Sequence, residues 1–336
     1  MRILVTGGAG FIGANFVKYM LNKYPDYKII NLDILTYAGN LDNLIEVENN
    51  PNYKFIRGDI TNKSLINNIL EDKNIEVIIN FAAESHVDRS IEDAEVFITT
   101  NVLGTQVLLS AAKMHNIQRF VQISTDEVYG SLGTEGYFTE TTPLAPSSPY
   151  SASKTGADLL IMAFYHTHNF PGIITRCSNN YGHYQFPEKL IPLMILNALE
   201  DKPLPVYGDG LNIRDWIYVE DHCRGIDAVL HKGKEGEVYN FGGNSEKTNI
   251  DTVKIILRLL DKPESLISFV KDRPGHDRRY AIDFSKAEKE LEWKPKYSFE
   301  EGIKMTIDWY LDNSKWISRV KTKEYLDYYE KMYKDR

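Results

Sequence analysis

The chain has 336 residues, 43% of them apolar and 26% charged, a balance that supports a full core and excludes a disordered polymer. A formal net charge of −8 offers a polyanion no global attraction, which argues against nucleic acid and requires local cations wherever a phosphate is held. Cys177 and Cys223 lack CxxC spacing, and no apolar run approaches eighteen residues, so neither a disulfide framework, a zinc ribbon nor a membrane span is expected. No leader pattern opens the chain, and the expected location is the cytoplasm.

In chain order, Ile3-Leu4-Val5 reads as a buried strand, followed by Thr6-Gly7-Gly8-Ala9-Gly10-Phe11-Ile12-Gly13 and a helix. Gly7 permits a tight turn, Gly10 lets backbone approach a pyrophosphate, and Gly13 allows close helix packing. The helix start at Phe11 and Ile12 supplies free N–H groups to the same anion. Ile29-Ile30-Asn31-Leu32 forms a second strand, and Asp33 at its end completes a dinucleotide fingerprint. Its carboxylate suits a ribose diol and repels a 2′-phosphate, which favours NAD over NADP. Val77-Ile78-Ile79, Phe120-Val121-Gln122-Ile123 and Ile173-Ile174-Thr175 are further strands, apolar on consecutive residues as in a sheet covered on both faces. The fold class expected is α/β, a Rossmann-type doubly wound parallel sheet. Asp59, Ile60, Ala82, Ala83 and Ser124 stand at carboxyl ends of strands, where such sheets bind ligands. Asn101 is open between a structural amide and a cofactor contact.

Ser124-Thr125 ends a strand, and Tyr150 and Lys154, four apart, share a helical face. A phenol of reference pKa about 10 needs a nearby cation to act as a base near neutrality, and Lys154, helped by the positive nicotinamide, is placed to supply it. Thr125 can hold the hydroxyl that Tyr150 deprotonates. Asp126 and Glu127 follow, two carboxyls on the substrate side of the same strand end.

After about Asn180 the chain becomes more irregular, punctuated by Pro187, Pro192, Pro203 and Pro205, and a smaller α/β substrate domain is expected. The division expected is residues 1–180 with about 212–243 returning as the NAD-binding domain, and 181–211 with 244–336 as the substrate domain. Lys189, Arg214 and Arg273 are the cations available for a diphosphate. The tail from Lys315 reads as a solvated surface helix. The histidines are scattered, and no metal site is proposed.

The glycine loop, strand-terminal Ser124-Thr125 and Tyr150-xxx-Lys154 resemble the extended short-chain dehydrogenase/reductase family over nearly the whole chain. Many members are sugar-nucleotide epimerases, which have no use for Asp126 and Glu127. Those two carboxyls, with Ala82 to Ser90, Cys177 to Gly182, Phe186 to Pro192 and Arg273 to Tyr280, are similar to its nucleotide-sugar 4,6-dehydratases. One departure is Ile34, where relatives often carry lysine. The resemblance implies NAD as cofactor, dTDP-glucose as substrate with UDP-glucose as the alternative, and a homodimer paired through residues 92–115 and 149–168. It implies Tyr150, Thr125 and Lys154 in C4 oxidation, Glu127 as base and Asp126 as acid in eliminating water. It adds Leu35, Thr36, Ser85, Thr100 and Asn180 to the cofactor contacts. On the substrate side it adds Glu84, Asn179, Leu190, Pro205, Tyr207, Asn249 and His276, with His86 expected only to satisfy a loop.

Overall fold

The computed structural model describes residues 1–322 together with Tyr325, Asp327 and Tyr329, so the end of the helical tail expected from Lys315 lies outside the described residues. Seven strands form one parallel sheet: β1 (Arg2–Thr6), β2 (Lys28–Asp33), β3 (Tyr53–Arg57), β4 (Val77–Asn80), β5 (Arg119–Thr125), β6 (Gly172–Cys177) and, after three strands of the second lobe, β10 (Val238–Phe241). Their order is β10-β6-β5-β4-β1-β2-β3, which reverses direction on either side of β1 as a doubly wound sheet does.

Alternate residues of each strand point to opposite faces, and both faces are apolar. Ile3 and Val5 join Val17 and Met20 of α1 (Phe11–Lys23) in one core, whereas Leu4 joins Ile66 and Ile69 of α2 (Lys63–Lys73) in another. Beyond β4 the chain is broken into α3 (Val87–Glu92), α4 (Glu95–Phe97) and a π-helical turn over Ile98–Gly104, which leads into α5 (Thr105–Met114). The long α6 (Pro149–His168) starts sharply because Pro149 occupies its first turn and Ser148 and Ser151 form a capping box. It stops at Asn169, which adopts a left-handed conformation.

The second lobe holds β7 (Asn179–Tyr181), β9 (Ile213–Tyr218) and β11 (Glu246–Thr248) in one sheet, and β8 (Leu204–Tyr207) with β12 (Ile267–Val270) in a parallel pair. Its core gathers Met194 and Ile195 of α7 (Leu190–Leu199), Val253 and Ile256 of α9 (Asn249–Leu259), and Ile303 of α11 (Phe299–Asp312). Trp316 of α12 (Ser314–Val320) joins the same core. Two expectations change here. Trp216-Ile217-Tyr218, expected to return to the first domain, pairs with β7 and β11 instead; only α8 (Val219–Lys232) and β10 return, beside α1 and β6. The strand β3 is an addition: it is an edge, its side chains only partly covered, so Lys54 and Arg57 hide the apolar pattern. The small α10 (Ser285–Leu291) closes the outer face over α8 and β10. Among the described residues no helix is long and apolar enough to cross a membrane.

Candidate active site

The cofactor cradle begins where β1 ends. Gly7 has φ +70°, and a Cβ there would stand 2.5 Å from the backbone nitrogen of Ala82. A Cβ at Gly13 would stand 2.4 Å from the Gly7 carbonyl oxygen. Both positions therefore exclude a side chain. The N-cap of α1, Gly10, offers no side-chain acceptor, so the N–H groups of Phe11, Ile12 and Gly13 are left for an anion. Asp33 is 8% exposed and braces this loop: its carboxylate accepts from the Ala9 N–H at 3.0 Å and from the Leu35 N–H at 2.8 Å. Burial raises its pKa while those two donors pull it back. Leu35 takes φ +60° as it turns away from Asp33, with Thr36 exposed beyond it. These residues fit a dinucleotide: a turn with no side chain at Gly7, Gly10 or Gly13, free amides at the start of α1 and one carboxylate for a diol.

The other cofactor candidates divide. Ala82 and Ala83 follow β4 against Gly7, and the Ser124 hydroxyl is buried without a hydrogen-bond partner at the end of β5. Asp59 caps its own turn by accepting from the Thr61 N–H at 2.8 Å. The Ile60 side chain is 4% exposed and lies against Gly104, so only its backbone is available to a ligand. Thr100 is half-buried in the π-helical turn. Asn101 is structural in its contacts: it accepts from the Glu84 N–H at 2.9 Å and donates to the Glu84 carbonyl at 3.0 Å and to Ser153 Oγ at 2.8 Å. It thereby ties the strap carrying Ala83, Glu84 and Ser85 to α6.

Tyr150, Lys154, Thr125 and Cys177 come together beneath that strap. Lys154 is 4% exposed and donates to the Ile123 carbonyl at 2.6 Å. Burial lowers its pKa, against the pull of Asp158. Burial, then Glu127 and Cys177, raise the Tyr150 phenol, and its hydrogen bond with Thr125 opposes them; the positive charge of a nicotinamide has to join that of Lys154 before the phenol can act as a base. Cys177, on β6, has its thiol pushed up to about 12 by burial first and Asp126 second; Asn180 donates to it at 3.2 Å.

Asp126 and Glu127 lie on a single 3-10 turn, Asp126–Tyr129, capped by Thr125, whose hydroxyl accepts from the Glu127 N–H at 3.2 Å. The turn is anchored at its far end, where the Tyr129 hydroxyl donates to Asn240 at 2.8 Å and accepts from Arg176 at 2.9 Å. Asp126 is 2% exposed, and one of its oxygens has no partner. Burial, then Glu127 and Asp215, raise its pKa well above the carboxylate range. Burial also raises Glu127, but Arg273, Lys189 and Arg214 pull it back. A proton is thus favoured on Asp126 and a negative charge on Glu127.

The second lobe brings those three cations to the pair. Lys189 donates to the Ser85 carbonyl at 2.9 Å; Arg214 donates to the carbonyls of Ile213 and Asp277 and lies 4.4 Å over the Tyr280 ring. Arg273 bonds Asp88 at 3.3 Å, and its Nε is buried without a partner. Asn179 and Asn249 each present a buried side-chain oxygen with no partner, as residues that receive a ligand do. Tyr207 donates to Asp88 at 3.2 Å, and Pro205 is buried two residues before it on β8. Leu190 opens α7. His276 contacts Asp272 at 2.6 Å and is held neutral, its pKa pushed down to about 4 by burial and then Arg273. Glu84 is raised by burial, and its neighbour His86 caps α3 by accepting from the Arg89 N–H at 3.4 Å.

The family model described as GDP-mannose 4,6 dehydratase matches residues 4–306. The chain belongs to the GDP-mannose 4,6 dehydratase family. Within it, the chain is 54% identical over 335 residues to the dTDP-glucose 4,6-dehydratase of Xanthomonas campestris pv. campestris, covering 94% of this chain and 95% of that one. The crystal structure of the dTDP-glucose 4,6-dehydratase from Bacillus anthracis in complex with NAD is similar at 56% identity and TM-score 0.90, covering 96% of this chain and all of that one. DesIV, the Streptomyces venezuelae dTDP-glucose 4,6-dehydratase solved with NAD and TYD bound, is similar at 49% identity and TM-score 0.93, with the same coverage.

Residues of this dehydratase-family site that sequence reasoning missed are Asp88, Asp215 and His222. Asp215 accepts from the N–H groups of Ser245 at 2.8 Å and Gly243 at 3.2 Å, and burial lifts its pKa to about 6. His222 contacts Asn180 Oδ1 at 3.0 Å, with burial pushing its pKa down to about 3. Asp88 lay within a run that resembled the family, which was a usable signal. Asp215 and His222 carry no local pattern; only the folded chain brings them here.

Proposed function

We propose that this chain is an NAD-dependent dTDP-glucose 4,6-dehydratase, a hydro-lyase that yields dTDP-4-keto-6-deoxy-glucose. The observation that carries the reading is the pair Asp126 and Glu127, beside the Tyr150–Thr125 hydrogen bond yet in unlike electrostatic surroundings. A bare redox cycle has no task for two such carboxyls; elimination needs one protonated and one ionised.

Tyr150 takes the proton of the sugar C4 hydroxyl, which Thr125 orients, and Lys154 is the chain's own positive charge for that step. Bound NAD supplies reversible two-electron acceptance, so oxidation at C4 and later reduction at C6 consume no cofactor. The ketone at C4 acidifies C5–H. Glu127 takes that proton, and Asp126 gives its proton to the departing C6 oxygen, so that water leaves rather than hydroxide; when C6 is later reduced, a proton exchangeable with solvent is restored at C5. Arg273, Arg214 and Lys189 hold the diphosphate, with Leu190, Pro205 and Tyr207 toward the base. Asn179, Asn249, His276 and Glu84 contact the rest of the substrate. Gly7, Gly10, Phe11, Ile12, Gly13, Asp33, Leu35 and Thr36 hold the cofactor's diphosphate and adenosine side. Asp59, Ile60, Ala82, Ala83, Ser85, Thr100, Ser124 and Asn180 line the remainder.

The cofactor unit comprises residues 1–178 with α8 and β10, and the rest forms the substrate unit. A homodimer is proposed through segments 92–115 and 149–168, where Ile98, Leu103, Met114 and Leu159 expose large apolar side chains. The cytoplasm is the proposed location, in keeping with two buried, unbridged cysteines. The deciding experiment is incubation with dTDP-glucose in heavy water. Loss of one water with solvent deuterium at C5 is the expected result; an unchanged mass with C4 inverted would replace this reading with epimerisation.

A further inference from the structure

In the seven-stranded sheet β1 lies between β2 and β4. With neighbouring strands just under 5 Å apart, the ends of β2 and β4 stand about 10 Å from each other, and the glycine loop rises from the strand between them. Tyr37 belongs to the loop after β2, and Arg89 to α3 after β4, yet the two side chains meet: the Arg89 guanidinium carbon is 4.0 Å from the centre of the Tyr37 ring. The contact thereby joins the segments that follow the two strands on either side of β1. A third residue locks it from the second lobe. Glu188, its side chain 4% exposed, accepts from Arg89 Nε at 3.3 Å and shares a hydrogen bond with the Tyr37 hydroxyl. The Phe186 ring stands edge-on to Tyr37 at 5.7 Å. The loop bearing Tyr37 is stitched down at its other end, where the Asn40 N–H and Asn43 Nδ2 both donate to the Ala9 carbonyl, at 3.0 and 2.8 Å.

We infer that Tyr37, Arg89 and Glu188 form a bar across the cofactor's diphosphate site that keeps NAD bound from one turnover to the next. The inference rests on the dinucleotide reading of the glycine loop and extends that site to three residues outside it. The bar joins both flanks of the groove to the second lobe, so a bound dinucleotide leaves only when a cation–π contact and a charge-assisted hydrogen bond break together. The proposed reaction gives the logic. It returns the cofactor to its starting oxidation state in each cycle, so retention costs no throughput and prevents escape of the reduced form before C6 is reduced.

The test is the rate at which NAD leaves the loaded full-length protein after dilution into a scavenger of free NAD, compared among wild type, Tyr37→Ala, Tyr37→Phe and Glu188→Gln. Tyr37→Ala should speed release by roughly tenfold, the scale of a desolvated cation–π contact. Tyr37→Phe, which keeps the ring over Arg89 and loses only the hydroxyl, should speed it less. Activity lost on dilution should return with added NAD. If Tyr37→Ala does not fold, Glu188→Gln and Tyr37→Phe carry the comparison. Equal release rates in wild type and every folded variant would overturn the bar. Wild type that binds no NAD would overturn the dinucleotide reading beneath it.

Discussion

Asp126 lies within electrostatic reach of Asp215, a buried carboxylate that already accepts two backbone N–H groups. Those donors favour the anion at Asp215, and its charge, with that of Glu127, keeps the proton on Asp126. Replacing Asp215 by Asn removes one of the two repelling charges and lowers the Asp126 pKa. Since Asp126 must be protonated to act, the high-pH limb of the kcat profile should move to lower pH. An unmoved limb with altered Tm would reduce Asp215 to a loop brace.

Asp126→Asn and Glu127→Gln should each slow elimination by about 10² to 10⁴, the usual worth of general acid or base help. Both should retain the first oxidation, seen as transient nicotinamide reduction on mixing with substrate. Tyr150→Phe should lose that transient. A carboxyl variant that loses it as fully as Tyr150→Phe would show that the division of roles is wrong.

Arg176 and Asp158 form a buried ion pair at 2.9 Å, and Arg176 also holds Tyr129 at the end of the Asp126–Tyr129 turn. Arg176→Met leaves Asp158 buried and uncompensated, at a cost of about 3 to 5 kcal/mol in denaturant unfolding. Because the turn loses its anchor, kcat should fall as well, while NAD binding at the glycine loop should not.

His222 supplies a pH dependence of stability. The free imidazole titrates near 6.5, but burial holds the folded one neutral down to about 3. Between those values the unfolded chain binds more protons than the folded one, so stability falls as pH falls through that window, by up to about 1.4 kcal/mol per pH unit. His222→Gln should flatten the acid limb of a Tm-against-pH curve between pH 6 and roughly 4. An identical curve would mean that other groups dominate acid unfolding.

Much of the fold was legible because its signals are short-range. Consecutive apolar residues in Val77 to Ile79 announce a strand covered on both faces, and the Gly7, Gly10, Gly13 spacing followed by Asp33 announces a dinucleotide site. The four-residue step from Tyr150 to Lys154 puts both on one helical face whatever surrounds them. The strand Tyr53–Arg57 escaped because an edge position lets charged residues interrupt the pattern, and Ile213–Tyr218 went to the wrong sheet because pairing partners are distant in sequence.

What the sequence by itself determined, then, is the parallel α/β sheet, the dinucleotide loop and the set of groups able to do redox and acid–base chemistry; each depends on spacing along one strand, loop or helix. The tertiary structure alone decided how those groups are charged. Asp126 and Glu127 are neighbours with nearly the same chemistry. They differ because one is buried near Asp215 and the other faces Arg273, Lys189 and Arg214, all brought from the second lobe. The same holds for Tyr37, Arg89 and Glu188, which meet only once the sheet order places β1 between β2 and β4. Protonation and closure depend on desolvation and through-space charge, and these exist only after the chain has folded.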